Sequence, residues 1–207
     1  MMAPQEKRRM STLALNIRMN GRRAVVIGGG TVALRKIRTL LAADACVSVV
    51  ATKIRAEITS LHDAGLISVR VGTYNPADLD DAFLVITATD NTEVNSLVCA
   101  EASRRGILVA VTGNPESGDC AFPATLHRGD LEIAVSTGGR CPSFAADVRD
   151  RIAECIGNEY GAILEQLAME REKLLTNGSP STYNTQVLRS LAQHLLDEST
   201  ESKGLVP

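Results

Sequence analysis

Short runs of consecutive apolar, largely β-branched residues alternate with longer stretches of helical periodicity over residues 22–111. The apolar runs lie at 24–27, 46–50, 67–71, 83–87 and 107–111, and the helical stretches lie at 32–43, 54–64 and 92–105. Strands that are apolar on consecutive positions are typical of a parallel sheet covered by helices on both faces. This alternation, with right-handed crossovers, predicts a doubly wound α/β layer.

The pattern changes after residue 111. A loop rich in Gly, Asn, Pro and Ser over 112–119 precedes two strand-like runs, 124–127 and 131–136, whose short connection predicts an antiparallel hairpin. A helix follows at about 143–156, and two further helical stripes are broken at 177–180. We therefore predict a leader (1–12), an α/β domain (13–113), a hairpin segment (114–152) and a helical C-terminal domain with a frayed tail (153–207).

Composition excludes several classes of protein. The chain has 207 residues, a net charge of −2 and 3% aromatic residues, which argues against a nucleic-acid-binding surface. No apolar run reaches the roughly 18 residues of a membrane span, and residues 1–12 lack the apolar stretch of a secretory signal. The five cysteines include no C-x-x-C pair. We expect reduced thiols in a cytoplasmic protein, with no metal site.

A glycine-rich turn follows the first predicted strand. Residues 28–33 have the form G-x-G-x-x-A and open the first predicted helix, which is the context of a dinucleotide-binding loop. A residue without a side chain lets the backbone approach a pyrophosphate, and the helix N-terminus attracts its charge. The alternative is a glycine turn that only packs closely. The predicted cofactor-binding residues of this loop are Gly28, Gly29, Gly30, Thr31, Val32 and Ala33.

The end of the second predicted strand lacks the acidic residue that usually binds the ribose of NAD. Thr52 and Lys53 stand there and are predicted to border the adenosine half of the cofactor. Lys53 or Arg55 would attract a 2′-phosphate, although solvated side chains are an equally good interpretation. These residues alone do not choose between NAD and NADP.

Polar residues also follow the fourth predicted strand. Open parallel sheets bind ligands beyond the carboxyl ends of their strands, so these residues should border the cofactor as well. The alternative is that Asp90 or Asn91 caps the next helix. The predicted cofactor-binding residues here are Thr87, Thr89, Asp90 and Asn91.

Three motifs together resemble the precorrin-2 dehydrogenase family, which is the N-terminal module of siroheme synthases. They are RAVVIGGGTVA-x-RK at 23–36, ATDN-x-x-VN at 88–95 and L-x-IAVSTGG-x-x-P at 131–142. The resemblance covers about 13–156. It implies a Rossmann-type parallel sheet, then a small α+β dimerisation segment and a C-terminal helical domain, assembled as a homodimer.

The resemblance also implies an activity. Members oxidise precorrin-2 to sirohydrochlorin with NAD⁺, on the route to siroheme, cobalamin or other modified tetrapyrroles, and some also insert Fe²⁺ or Co²⁺. Family use of NAD⁺ without an acidic ribose residue favours NAD as the cofactor here. The substrate would be precorrin-2, an anionic tetrapyrrole, with no nucleic-acid or membrane partner.

The chain departs from the family at its acid–base candidate. Members have an Asp two residues before the proline that corresponds to Pro115, whereas this chain has Gly113 there. Asn114 and Asp119 are the remaining catalytic candidates, and an ordinary turn residue is the alternative for Asp119. General acid–base help contributes typically about 10²–10⁴-fold, so its loss should slow turnover rather than abolish it. The departure also argues against metal insertion.

The third motif is the predicted tetrapyrrole site, because a substrate with many carboxylates needs N–H groups and cations. The alternatives are a helix cap with flexible glycines and a solvated turn arginine. The predicted substrate-binding residues are Arg128, Ser136, Thr137, Gly138, Gly139 and Arg140. Three hypotheses stand: an NAD-dependent precorrin-2 dehydrogenase, a bifunctional dehydrogenase and chelatase, and a non-catalytic module that binds NAD or a tetrapyrrole.

Overall fold

The structure is a computed structural model and describes residues 12–176 and 181–201. The chain divides into two compact units between Phe122 and Pro123. Most of the predicted leader and the last residues of the predicted tail lie outside the described residues. Within the described part of the chain, no helix is long and apolar enough to cross a membrane.

The first unit is built on a five-stranded parallel sheet with the strand order β3-β2-β1-β4-β5. The order reverses between β1 and β4, and such a switch point is where open α/β sheets usually bind ligands, beyond the carboxyl ends of the strands. The predicted α/β layer is confirmed. The strands are β1 (Arg23–Ile27), β2 (Cys46–Ala51), β3 (Ile67–Val71), β4 (Leu84–Thr87) and β5 (Leu108–Val111).

Helices cover both faces of this sheet. They are α1 (Thr31–Ala42), α2 (Ala56–Asp63) and α3 (Thr92–Arg105), with short 3₁₀ turns at Pro76–Leu79 and Pro115–Ser117. In β1, Val26 packs in one hydrophobic cluster and Val25 in the other, and both are fully buried. Burial on both faces explains why β1 and β4 are apolar at consecutive positions.

The second unit begins with the predicted hairpin. Strands β6 (Ala124–Arg128) and β7 (Leu131–Val135) pair antiparallel, and Arg128 faces Leu131 across a two-residue turn. Helix α4 (Pro142–Cys155) follows, then α5 (Glu159–Thr176) and α6 (Ser181–Glu201), which pack against each other. In α5, Gly161 lies against the hairpin turn, because an added Cβ would approach the Arg128 carbonyl oxygen to 2.7 Å.

Candidate functional site: the glycine corner and its surroundings

The first two glycines of the loop are held between neighbouring strands. Gly28 donates its N–H to the Val50 carbonyl at 2.9 Å and has φ +131°. A Cβ on Gly28 would lie 2.2 Å from the Ala88 carbonyl oxygen, and one on Gly29 would lie 2.2 Å from the Lys53 carbonyl oxygen. Only glycine fits at these two positions, because a side chain would collide with the backbone that follows β4 or β2.

Gly30 has the opposite surroundings. A Cβ on it would meet no heavy atom within 4 Å, and its backbone is extended (φ −88°, ψ −168°). It is the N-cap of α1, and no side chain caps this helix end. The first N–H groups of α1 therefore face an open surface beside a residue without a side chain, which suits the close approach of a diphosphate. Ala33 is fully buried against the sheet, as a small residue at this position requires.

The segment after β2 packs against the glycine corner, which is the turn formed by residues 28–33. Thr52 and Lys53 are exposed, and the Arg55 backbone N–H donates to the Gly29 carbonyl at 3.1 Å. The Arg55 guanidinium reaches the Thr31 hydroxyl through Nη1 at 3.2 Å and pairs with Glu57 through Nη2 at 2.9 Å. Hydrogen bonding to Arg55 lowers the pKa of Glu57, which therefore stays ionised.

The residues after β4 have different roles: one caps helix α3, and another stays exposed. Asn91 caps α3, since its side-chain oxygen accepts from the N–H groups of Glu93 (3.0 Å) and Val94 (3.1 Å). Thr89 is bound to Asn95 by two hydrogen bonds, at 2.8 and 3.0 Å. The sequence analysis did not select Asn95 as a site residue, although it stands in the second family motif. The capping interpretation thus holds for Asn91, while Asp90 remains exposed.

Thr87 ends β4 in the middle of the sheet. It is fully buried, and its hydroxyl has no hydrogen-bond partner within the described residues. Its carbonyl accepts from both the N–H (3.0 Å) and the hydroxyl (2.8 Å) of Thr112. These bonds fix the start of the loop that follows β5 to the end of β4.

The two catalytic candidates lie on that loop. Asn114 is exposed and donates from its side chain to the Ser117 hydroxyl at 2.8 Å. Asp119 binds the outer edge of β5, where its N–H donates to the Val109 carbonyl (2.8 Å) and its carboxylate accepts from the Val109 N–H (3.1 Å). Asp119 thus has a structural partner in β5, two residues before the carboxyl end of that strand.

A lysine on α1 fixes the end of the same loop. The Lys36 ammonium lies 3.7 Å from the centre of the Phe122 ring, an interaction between a cation and an aromatic face. Burial, and secondarily the positive charge of Arg35, lowers the pKa of Lys36 to about 8. The sequence analysis gave this pair no role, because a cation and a ring 86 residues apart carry no local signal.

In the second unit, the third motif forms a tight turn before α4. Gly138 and Gly139 have φ +61° and +77°, and the Arg140 N–H donates to the Thr137 carbonyl at 3.2 Å. Two consecutive residues with positive φ are the pattern of a type I′ turn. The Thr137 hydroxyl accepts from the Cys141 N–H (3.1 Å) and the Ser136 hydroxyl from the Gly138 N–H (3.2 Å), which stabilises the turn.

The two arginines predicted to bind substrate differ. Arg140 is exposed, and its side chain has no hydrogen-bond or ion-pair partner among the residues described. Arg128 instead donates to the carbonyls at the end of α4, those of Ile156 (2.8 Å) and Ala153 (3.3 Å). A guanidinium at a helix C-terminus stabilises the free carbonyls, so Arg128 has a capping role that the sequence analysis did not consider.

The structure thus brings the glycine loop, the segment after β2 and the residues after β4 to one edge of the parallel sheet. The predicted tetrapyrrole residues form a separate arrangement within the second unit. All five cysteines are free thiols. In the described residues, no group of three or more His, Cys, Asp or Glu side chains is placed to hold a metal ion.

The glycine corner lies inside a match to a known family. Residues 15–124 match the family model described as "Putative NAD(P)-binding". The chain belongs to this family. Membership in this NAD(P)-binding family confirms the dinucleotide cofactor predicted from the loop. A second match, over residues 128–154, is to the central domain of sirohaem biosynthesis proteins, and it includes the turn before α4.

Named relatives point in the same direction. The chain is 38% identical over 165 residues to a siroheme synthase of Methylococcus capsulatus, covering 80% of this chain and 35% of that protein. It is 39% identical over 154 residues to a siroheme synthase of Chromobacterium violaceum, covering 74% of this chain and 33% of that protein. The chain therefore spans about a third of the length of these relatives. The resemblance to the siroheme synthase N-terminal module is confirmed.

A solved structure shares the fold. The structure titled "SirC, precorrin-2 dehydrogenase" matches with a TM-score of 0.74 and 23% identity, covering 90% of this chain and 98% of that one. The predicted order of a Rossmann-type sheet, a small hairpin segment and C-terminal helices is therefore confirmed as an architecture.

Proposed function

We propose that this chain is an NAD-dependent precorrin-2 dehydrogenase, which oxidises precorrin-2 to sirohydrochlorin in siroheme or related tetrapyrrole synthesis. The observation that carries the proposal is the open glycine corner: Gly30 has no neighbour at its Cβ position, and the end of α1 has no side-chain cap. This corner stands in a chain whose relatives are siroheme synthases. The predicted residues after β4 are consistent with a dinucleotide site, and those of the turn before α4 are consistent with an anionic substrate.

NAD⁺, when bound, supplies the hydride acceptor. The residues of the chain would bind and orient it: the N–H groups at the start of α1, beside Gly30, would hold the diphosphate, and the buried Ala33 lets α1 approach the sheet. Thr89, fixed by Asn95, and the exposed Asp90 border the crevice at the switch point. Positioning of the acceptor is the main contribution expected of the protein, because the cofactor carries the chemistry.

The turn before α4 is proposed to bind the carboxylates of precorrin-2. Arg140 offers a guanidinium with no competing partner among the described residues, and this group is suited to bidentate carboxylate binding. The N-terminus of α4, which begins directly after the turn, adds N–H donors of favourable polarity. Because Arg128 caps the other end of α4, we expect its contribution to substrate binding to be indirect.

Oxidation removes a hydride and a proton from the reduced macrocycle. Bound NAD⁺ would accept the hydride, and the proton would pass to water or to a basic group. Gly113 has no side chain to accept it, and Asn114 does not titrate. The catalytic roles of Asn114 and Asp119 stay predictions, and the Val109 N–H already occupies the Asp119 carboxylate.

Anaerobic incubation of the chain with precorrin-2 and NAD⁺ tests the proposal. We expect sirohydrochlorin and a stoichiometric amount of NADH to form. The absorption spectrum of sirohydrochlorin is used to measure its formation. A matched incubation without NAD⁺ should give no product. The proposal is wrong if the chain binds NADH but forms no sirohydrochlorin above the rate without protein.

Gly113 favours a second candidate, a non-catalytic module that binds a dinucleotide or a tetrapyrrole for another enzyme. This candidate predicts tight binding of both ligands without oxidation. A single-turnover experiment, with protein in excess over precorrin-2, separates the two because even slow chemistry would then yield one equivalent of NADH.

We further propose that the protein is a cytoplasmic homodimer assembled through the hairpin segment. A two-stranded sheet is marginal by itself, and Phe144, in the first turn of α4, is 59% exposed. Sedimentation equilibrium should give twice the 22.1 kDa mass of the chain. Phe144→Glu should shift the mass toward the monomer, whereas a concentration-independent monomer mass for the unchanged chain contradicts the proposal.

A further inference from the structure

Basic residues follow the second strand, where the adenosine ribose of a dinucleotide usually binds. An NAD-selective site usually places a carboxylate at the end of the second strand, where it binds the ribose 2′-hydroxyl and repels a 2′-phosphate. Here β2 ends in the buried Ala51, and the exposed Thr52 and Lys53 follow. Lys53 has no hydrogen-bond or ion-pair partner among the described residues.

Arg55 is held directly at this position. Its backbone N–H binds the Gly29 carbonyl at 3.1 Å, so the residue is fixed to the second glycine of the loop. Its Nη1 binds the hydroxyl of Thr31, the first residue of α1, at 3.2 Å. The guanidinium therefore bridges the segment after β2 and the phosphate-binding end of α1.

The hydrogen-bonding capacity of Arg55 is only partly used. Its Nε and Nη2 bind the two carboxylate oxygens of Glu57 at 3.2 and 2.9 Å, and Nη1 uses one hydrogen on Thr31. A guanidinium has five N–H donors, so one hydrogen on each terminal nitrogen remains. The side chain is 45% exposed, and the remaining donors are accessible to a ligand.

Glu57, the carboxylate that Arg55 contacts, is already neutralised. Glu57 forms its ion pair with Arg55 and also interacts electrostatically with Arg38 on α1. The local charge from Lys53, Arg55 and Arg38 against Glu57 is therefore positive. A phosphate monoester at this place would find these cations, with the Glu57 carboxylate already paired to Arg55.

We propose that this chain binds NADP(H) as well as NAD(H), and that Arg55 is the residue that recognises the 2′-phosphate. Arginine is suited to this task because its planar fork matches phosphate oxygens, and an arginine near the glycine loop is the usual means of accepting NADP. Glu57 competes with the 2′-phosphate for the same guanidinium and so limits any preference for NADP(H) over NAD(H). The inference rests on the proposed dinucleotide function and extends its cofactor range.

Isothermal titration of the full chain with NADH and with NADPH tests this, and 2′,5′-ADP serves as a probe of the adenosine half with its 2′-phosphate, without the nicotinamide. For the unchanged chain we expect Kd values for the two dinucleotides that agree within about tenfold. Arg55→Met should weaken NADPH binding by about tenfold or more and NADH binding by less than about threefold. Glu57→Gln should strengthen NADPH binding selectively, because it removes the competing carboxylate.

Arg104→Met is the matched control, since Arg104 forms the same kind of exposed ion pair, with Glu101, in the last turn of α3. It should change neither Kd. NADPH binding more than about tenfold weaker than NADH binding overturns the proposal. An equal loss of both dinucleotides in Arg55→Met overturns the role of Arg55. Neither result affects the dehydrogenase proposal, which is decided separately by sirohydrochlorin formation with NAD⁺.

Discussion

Three consecutive glycines, residues 28–30, have three different surroundings. The positions of Gly28 and Gly29 leave no room for a Cβ, because backbone carbonyls lie 2.2 Å from where it would be. Gly30 has open space and an extended backbone that any residue adopts. The first two glycines are therefore needed to fold the corner, whereas the fold places no such demand on the third.

Gly30→Val should separate folding from binding. The Cβ of a valine at this position would meet no heavy atom within 4 Å, but its methyl groups would stand where the diphosphate must approach. We expect the melting temperature to stay close to that of the unchanged chain and NADH binding to weaken by about tenfold or more. Circular dichroism melting and isothermal titration measure the two effects.

Gly28→Ala is the contrasting variant. Its Cβ would collide with the Ala88 carbonyl at a residue with φ +131°, so the melting temperature should fall. If Gly30→Val destabilises the fold as much as Gly28→Ala does, or binds NADH normally, the assignment of Gly30 to the phosphate site is wrong.

Gly113 gives a second residue-scale prediction. Its φ is +86°, and a Cβ there would meet no atom within 4 Å. Asp and Asn tolerate this region of backbone space better than most residues do. Gly113→Asp should raise the rate of precorrin-2 oxidation by about 100-fold if an acid–base group is what the loop lacks.

Gly113→Asn controls for the change in shape and backbone strain, since it has the same size and cannot titrate near neutral pH. Its rate should match that of the unchanged chain. Equal rates for Gly113→Asp and the unchanged chain would show that no acid–base group is needed at this position.

At the scale of elements, the loop after β5 closes the sheet edge. Asp119 pairs with Val109 through both its backbone and its carboxylate, so the outer edge of β5 is covered at this point. Lys36 on α1 fixes Phe122 further along the same loop. A loop whose sequence is typical of a turn therefore covers part of the exposed edge of the sheet.

Asp119→Ala should lower the free energy of unfolding by about 1 kcal/mol, because the Val109 N–H loses its side-chain acceptor. Urea denaturation measures the change. Asp119→Asn keeps an acceptor oxygen and should recover most of the loss, and it should also keep the dehydrogenase rate. A large fall in rate in Asp119→Asn, with stability retained, would instead establish Asp119 as an acid–base residue.

At the scale of the whole molecule, the half-buried Lys36 should make stability depend on pH. Its pKa falls from 10.5 to about 8, mainly because burial disfavours the charged form. Between these values the unfolded chain binds more protons than the folded one, so this group makes stability rise with pH. The destabilisation caused by the half-buried charge is absent above pH 10.5. It grows as the pH falls from 10.5 to 8 and is complete below pH 8.

Lys36→Met should therefore be more stable than the unchanged chain at pH 7, by about 1 kcal/mol after allowance for partial exposure and for the Phe122 contact. The difference should shrink as the pH rises above 8. Urea denaturation at several pH values tests this. Lys53→Met, which alters an exposed lysine, should leave the pH dependence unchanged, and a parallel pH profile for Lys36→Met would contradict the argument.

The parallel sheet could be predicted because its evidence is local. Strands such as β1 and β4 are apolar at consecutive positions, since helices bury both of their faces. The glycine loop was recognisable for the same reason: spacing, preceding strand and following helix are all adjacent in the chain. The hairpin turn at Gly129 was also predictable, because turn chemistry depends on a few consecutive residues.

The partners of individual polar side chains could not be predicted. Arg128 caps α4 and Asp119 binds β5, whereas the sequence analysis considered them for substrate and proton chemistry. Arg55 reaches Thr31 across 24 residues of sequence. Such contacts depend on how separate elements pack. A hydrogen bond forms only when donor and acceptor are positioned to within a fraction of an ångström, and no sequence pattern encodes that precision.

The sequence by itself thus determined the order of the elements, the parallel sheet and the presence of a dinucleotide loop, since periodicity and turn chemistry act over neighbouring residues. Only the tertiary structure decided which glycine is open at its Cβ position and which charged groups are already engaged. These outcomes arise where chain segments far apart in sequence come within contact distance, and Gly28 against Ala88 is the clearest example.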